Sequence, residues 1–158
     1  MAHHVSEDGT RLVLDDLGEG DPVVLLHGWS LDRTCWEHHV PALLTAGQRC
    51  VAYDRRGNGR SDVPARGYDA DTLADDLAGL MTALDLRGAT LDSHSMGAGE
   101  VVGYLARHGA DRVARVVLLA PTTPMLLATN THPVGLTPDT AVSVIVDPAV
   151  GRRAQSER

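Results

Sequence analysis

Four short runs of apolar residues recur along the chain, and each has the length of one strand. The runs at 23–26 and 49–54 are largely unbroken, which is typical of strands that are buried on both faces of a sheet. The other two lie at 89–92 and 113–119. The pattern therefore predicts four buried strands.

Segments with helical spacing lie between these runs. Apolar residues three or four positions apart predict helices at 36–46 and 71–86, and a third helix that ends at His108, just before Gly109. Asp71 is the expected N-cap of the second helix, because its carboxylate can accept a backbone hydrogen bond in the first turn.

Strands that alternate with helices of this length indicate an α/β fold, with a mostly parallel sheet and helices on both faces. The turns at 6–10 and 18–22 add an antiparallel hairpin at the start. No internal repeat, low-complexity segment or linker divides the sequence. Residues 1–158 are therefore expected to form a single domain.

The amino-acid composition limits the binding partners and the cellular compartment that we expect. Hydrophobic residues make up 43% of the chain, and the net charge of −7 argues against nucleic acid or an anionic membrane surface as partner. No apolar run approaches the length of a membrane span, and no export signal is visible at the N-terminus. Cys35 and Cys50 show no metal spacing and fit a reducing compartment. We expect a cytoplasmic protein without a metal.

The clearest chemical signal lies at Ser95. An apolar approach at 89–91 meets a run of small residues and then a helical pattern, which predicts a sharp strand-to-helix turn with Ser95 at its corner. Such a turn pushes the hydroxyl out of the fold, and its flanks, here Ser93 and Gly97, must be small so that backbones can approach. The helix N-terminus supplies amide donors. The stretch therefore predicts a nucleophile.

Three segments stand in the order and at the intervals of a known family: HGWS at 27–30, DRRGNGRSD at 54–62 and SHSMG at 93–97. Together they resemble the landmarks of the α/β-hydrolase fold, and the resemblance covers residues 5–136. The residues after Ser95 are similar to the branch of cofactor-free haloperoxidases, perhydrolases and arylesterases. They are Gly99, Glu100, Val101, Tyr104, Arg107, His108, Gly109, Arg112 and Val113.

The resemblance implies acyl transfer without a cofactor, on a small-molecule ester or acyl substrate. In that chemistry Ser95 is the nucleophile, and the backbone amides of Trp29 and Met96 form the oxyanion hole.

The remaining polar residues of these segments have plainer expected roles. The loop 54–62 would be structural, and His27 is expected to hold its own loop by hydrogen bonds. Arg55 and Arg56 are expected to be solvated loop charges.

A serine hydrolase also needs a histidine base held by an acid, and the family places both further downstream. His94 lies on an extended strand end, so its side chain is expected on the opposite side from Ser95. His108 lies along the following helix, roughly 20 Å away at about 1.5 Å per residue, too far for proton transfer. His132, in the loop after the last strand, is the remaining candidate base.

The tail at 135–158 has two interpretations. Thr137 begins a helical pattern that looks like the start of a cap segment, although Pro148 would break that helix. Alternatively, 142–146 is a short strand that ends at Asp147, which would then be the candidate acid. Because the family's last two strands are lacking, we expect an incomplete form of the fold with about six strands.

Three functions remain open. The first is a serine esterase, active or inactive in this form, and the second is a catalytically dead remnant that acts as a binding or interaction module. The third is a cofactor-free haloperoxidase or perhydrolase, but such relatives often carry proline where this chain has Ser30.

Two further expectations follow from the resemblance. The family usually has glycine at the position of Ser93, so modest strain is expected there. The apolar strand at 113–119 would become an uncovered edge of the sheet, which favours pairing with another chain, for example in a homo-oligomer.

Overall fold

The computed structural model describes residues 2–122, and all the strands and helical regions predicted within them are present. In chain order the elements are β1 (Ala2–Val5), β2 (Arg11–Leu17), β3 (Pro22–Leu26), a 3₁₀ helix (Arg33–Trp36), α1 (Val40–Thr45), β4 (Arg49–Tyr53), α2 (Ala70–Ala83), β5 (Ala89–His94), α3 (Gly97–His108) and β6 (Val113–Leu119). None of the helices in this part of the chain is long and apolar enough to cross a membrane.

The six strands form one sheet in the order β1-β2-β4-β3-β5-β6. The last four strands of that order pair in parallel, whereas β1 pairs with β2, and β2 with β4, in antiparallel fashion. The predicted hairpin is β1–β2, closed by the turn at 6–10. The turn at 18–22 leads into β3, which pairs with β4 and β5 and not with β2. The mostly parallel sheet, covered by helices on both faces, confirms the predicted fold class.

Side chains of β3 alternate between two layers of the core. Val24 and Leu26 pack on the side of α2 and α3, whereas Val23 and Leu25 pack with Trp36 and α1 on the other side. These four side chains and that of Trp36 are buried, and each contributes about 1.5–3 kcal/mol to the free energy of unfolding. The carboxyl end of β3 is therefore firmly held, and the loop that follows starts from a fixed point.

Two predicted helix boundaries were wrong. The N-cap of α2 is Asp69, whose backbone is extended and whose carboxylate accepts the N–H of Thr72, so that Asp71 lies inside the first turn. The segment predicted as one helix at 36–46 is split into the 3₁₀ helix and α1. Pro41 explains the split, because proline has no N–H to donate and is tolerated only in the first turn of a helix.

β6 is the edge strand of the described sheet, as predicted for 113–119. Within residues 2–122 its strand neighbour is β5. Its apolar side chains from Val116 to Leu119 are between 37% and 45% exposed. An edge of this kind can pair with another strand. Association of two copies through β6 stays a prediction.

The polar loop after β4 is built around the buried carboxylate of Asp54. Its Oδ1 accepts the backbone N–H of Arg33 at 2.8 Å, and its Oδ2 accepts Nη1 of Arg33 at 2.7 Å and the N–H of Arg60 at 2.8 Å. The hydroxyl of Ser61 donates to the Asp54 carbonyl at 2.6 Å. Gly59, with φ of +53°, lies directly against the carboxylate. These contacts give the loop a structural role.

We expect Gly59→Ala to lower the free energy of unfolding by about 3–4 kcal/mol, because the new Cβ would lie 2.3 Å from Cγ of Asp54 in a left-handed backbone. Gly47→Ala is the control: its φ is also positive, at +76°, but its Cβ would meet open space. It should cost only about 1–2 kcal/mol. Urea unfolding measures both losses, and equal losses would contradict the role assigned to Asp54.

Candidate active site

Two loops leave the same edge of the sheet side by side. β3 and β5 are parallel neighbours, with Leu26 opposite Ser93, so their following loops emerge together at the carboxyl edge. Three non-glycine residues at this edge have positive φ: Ser30 at 57°, Ser95 at 52° and Ala120 at 43°. Backbone strain of this kind concentrates at functional sites. The carboxyl edge of the sheet is therefore the expected location of a catalytic site.

Ser95 occupies the corner of a strand-to-helix turn, as the sequence predicts. Its backbone N–H donates to the carbonyl of Leu119 at 3.0 Å. Its own carbonyl accepts the N–H of Ala98 at 3.1 Å and that of Thr122 at 3.2 Å. The end of β6 therefore holds the strained turn from one side, and the first turn of α3 holds it from the other.

Two glycines let the loop after β3 approach this turn. A Cβ at Gly97 would lie 2.8 Å from the carbonyl oxygen of Leu26, and a Cβ at Gly28 would lie 3.3 Å from Cβ of Ser95. Any larger side chain at either position would force the loop and the helix apart. Ser93, where the family usually has glycine, is buried in β5, and its hydroxyl donates to the carbonyl of Val117 at 3.3 Å.

The predicted oxyanion donors are backbone amides on these two segments. Trp29 follows Gly28 in the loop after β3, and Met96 follows Ser95 at the N-terminus of α3. Among the hydrogen bonds of residues 2–122, neither amide is a donor. Both are therefore available to an anion at the positive end of the helix.

His27 fixes the start of the loop after β3. Its Nδ1–H donates to the carbonyl of Gly28 at 2.7 Å, and its Nε2 accepts the backbone N–H of Arg55 at 3.0 Å. Since Nε2 must be unprotonated to accept, the ring is neutral. Burial first, and then the Arg55 charge, lower the pKa of His27 to about 4. The residue holds its loop, as expected.

Within the described residues, no hydrogen bond joins a histidine side chain to Ser95. His94 lines a cavity of about 340 Å³ with Trp36 and Leu119, on the side of the sheet that α1 covers, as strand alternation predicts. His108 lies in the last turn of α3, where its Nε2 is 2.7 Å from Oδ1 of Asp75. The two predicted candidates for base and acid, His132 and Asp147, lie outside the described residues. No cluster of metal-binding side chains occurs in the described part of the chain.

The prediction of solvated charges at Arg55 and Arg56 was wrong. Their exposed fractions are 2% and 1%, because each meets a buried carboxylate: Glu100 of α3 at 2.7 Å and Asp76 of α2 at 2.6 Å. The signal in the sequence was the helical position of these acids. Asp76 lies directly before the core residue Leu77, and Glu100 directly before the core residue Val101, on the side of each helix that faces the sheet.

Comparison with known proteins shows the family of this chain. A model of the alpha/beta hydrolase fold family matches residues 21–148. The chain belongs to the α/β-hydrolase family.

Some relatives within this family are named as haloperoxidases and others as esterases. A non-heme chloroperoxidase of Kitasatospora aureofaciens is 41% identical over 95% of this chain and 54% of its own length. A bifunctional esterase/perhydrolase of Acinetobacter calcoaceticus is 39% identical over 86% of this chain and 50% of its own length. The solved esterase from Exiguobacterium antarcticum is 36% identical, with a TM-score of 0.87, and the match covers 96% of this chain and 57% of the esterase. This α/β-hydrolase chain thus spans about half the length of these relatives.

We expect Gly97→Ala to lower the free energy of unfolding by about 2 kcal/mol or more, because the new Cβ would press on the carbonyl oxygens of Leu26 and His27. The matched control is Gly99→Ala in the same helix, whose Cβ would meet open space. It should stabilise the fold by about 0.5–1 kcal/mol, since alanine is the better helix former. Thermal and urea unfolding compare the two, and a gain in stability for Gly97→Ala would refute the close approach.

We expect His27 to make the fold less stable in mild acid. In the unfolded chain its pKa is near 6.5, whereas in the folded chain it is about 4, so between these values only the unfolded state binds the proton. Its contribution is therefore complete above pH 6.5, falls as the pH drops, and by pH 4 about 3 kcal/mol of stability is lost.

Urea unfolding at pH 7.0 and pH 4.5 measures this effect in wild type and His27→Asn. The variant should lose the part of the pH dependence that His27 causes. His38→Asn is the control, because the His38 side chain is 89% exposed, and it should follow wild type. The same pH dependence in His27→Asn and wild type would exclude this account of the ring.

Proposed function

We propose that Ser95 is the nucleophile of an esterase-type acyl hydrolase that acts on small-molecule esters. The observation that carries the proposal is the strained Ser95 turn, with φ of 52°, beside two amides that no other group in residues 2–122 engages. The esterase named above, with its TM-score of 0.87, supports this assignment.

In the proposed reaction the Ser95 oxygen forms a bond to the ester carbonyl carbon while a base accepts the hydroxyl proton. The resulting oxyanion accepts hydrogen bonds from the amides of Trp29 and Met96, and one such donor is worth about 3–4 kcal/mol. The bond to the alcohol oxygen then breaks, the alcohol leaves with the proton, and water hydrolyses the Ser95 ester to the acid. His132 and Asp147 stay predictions for the base and the acid.

The conformation of Ser30 favours the esterase over the haloperoxidase or perhydrolase alternative. Peroxide-using relatives often carry proline here, and proline fixes φ near −65°. In this chain Ser30 has φ of 57°, a value that proline cannot adopt. The loop after β3 is therefore shaped differently from a loop with proline. The names of the relatives support both activities, so peroxide dependence is part of the test.

The net charge and the free thiols support the proposed substrate class and the proposed cytoplasmic location. The net charge of −7 is unsuited to nucleic acid, and the proposed substrate is a small molecule. Cys35 and Cys50 are free thiols, which suits the cytoplasm.

We expect a fluorophosphonate to label wild type at Ser95, and Ser95→Ala to abolish the label. Ser93→Ala is the matched control, since this second serine is buried in β5 and makes only a 3.3 Å bond to Val117. It should keep at least half of the labelling rate. Peptide mass spectrometry locates the label.

Turnover of p-nitrophenyl acetate, with and without hydrogen peroxide, separates the two activities. Release of p-nitrophenol without peroxide is the expected result. Activity only with peroxide would favour the perhydrolase, and absence of both label and turnover would contradict the proposal in favour of a non-catalytic module.

A further inference from the structure

Arg55 is an almost fully buried cation that the chemistry above does not use. Its guanidinium Nε donates to Oε2 of Glu100 at 2.8 Å, and its Nη2 donates to the backbone carbonyl of His27 at 2.9 Å. Its own backbone N–H donates to Nε2 of His27 at 3.0 Å. One residue thus holds His27 at two points and Glu100 at a third.

These contacts join the two segments that carry the proposed oxyanion amides. His27 begins the loop that leads to Trp29, and Glu100 lies in the first turn of α3, close behind Met96. The hydroxyl of Tyr53, at the end of β4, also donates to Glu100. The buried guanidinium of Arg55 therefore connects the loop and the helix by hydrogen bonds, in addition to their direct backbone contact.

We propose that Arg55 is a positioning residue, which sets the separation between the amides of Trp29 and Met96. The inference rests on the proposed function, because it assigns a purpose to that separation. A planar guanidinium can donate to a carbonyl and a carboxylate at once in fixed directions, whereas the lysine ammonium is a point charge on a flexible stem.

The positive charge of Arg55 also favours the proposed oxyanion, because it neutralises Glu100. Without it, the Glu100 carboxylate would be left as an unpaired negative charge, buried near the helix N-terminus that must stabilise an oxyanion. Tyr53 cannot replace the cation, because its hydroxyl carries no positive charge; burial and the Glu100 charge raise its pKa well above the usual value, so the hydroxyl stays neutral. His27 is neutral, so Arg55 is the cation that balances Glu100.

Arg56 provides a matched comparison within the same loop. It is equally buried, and it is also paired with a buried helical carboxylate, Asp76, through Nε at 2.6 Å and Nη2 at 2.7 Å. Its third contact is Asp8, in the turn between β1 and β2. Arg56 therefore shares the burial and the ion pair of Arg55 but contacts neither segment that carries an oxyanion amide.

The test compares Arg55→Lys with Arg56→Lys at a temperature where both variants are folded. We expect Arg55→Lys to slow the first-order phosphonylation step at Ser95 at least tenfold, with little change in the concentration of fluorophosphonate that half-saturates the rate. Arg56→Lys should stay within twofold of wild type at a similar loss of melting temperature. Glu100→Gln, which keeps an acceptor for Arg55 and removes the charge that pairs with it, is the second variant if Arg55→Lys does not fold, and hydrogen exchange is its readout.

Hydrogen exchange of the amides in 27–31 and 94–98 gives a readout that does not need activity. Arg55→Lys, or Glu100→Gln in its place, should raise exchange in both segments at least fivefold, and Arg56→Lys should leave both unchanged. Equal slowing of labelling by Arg55→Lys and Arg56→Lys, or unchanged exchange in the Arg55 and Glu100 variants, would overturn the inference. If wild type takes no label, the proposed function fails, and the exchange measurement still decides whether Arg55 holds the two segments.

Discussion

The close approach of two backbones is the constraint on which the candidate site depends. Gly28 lies against Ser95, and Gly97 lies against the carbonyl of Leu26, so the loop after β3 and the start of α3 are in direct contact. The parallel pairing of β3 with β5 brings these segments to one edge, and the two-layer core fixes where the strands end. The strain at Ser95 is held in place by this packing.

Local patterns were enough to predict the elements and the corner at Ser95. Apolar runs, helical spacing and small residues act over a few positions, and the sequence shows them directly. The boundaries were harder: Asp69 and Asp71 are both suitable caps, and only the backbone conformation distinguishes them. The burial of Arg55 could not be predicted from its loop, because its partner Glu100 is distant in sequence. The sequence shows the charge of a side chain, but it does not show which partner that side chain contacts in the fold.

The buried charges that link the loop after β3 to α3 are paired with each other. Arg55 balances Glu100, while the neutral ring of His27 adds no charge of its own. In the proposed mechanism, the amides of Trp29 and Met96 would therefore meet the oxyanion without a competing negative charge from that network. The same arrangement fits an ester or a peroxide-dependent reaction, and our proposal of the ester rests on the positive φ of Ser30.

The central claim is that the amides of Trp29 and Met96 stabilise an oxyanion formed at Ser95. A crystal structure of the protein after reaction with a fluorophosphonate tests it most directly, because the phosphonyl oxygen imitates that oxyanion. The account predicts phosphorus bonded to Oγ of Ser95, with its oxygen about 2.7–3.1 Å from both amide nitrogens. An adduct on another residue, or a phosphonyl oxygen turned away from both amides, would contradict it.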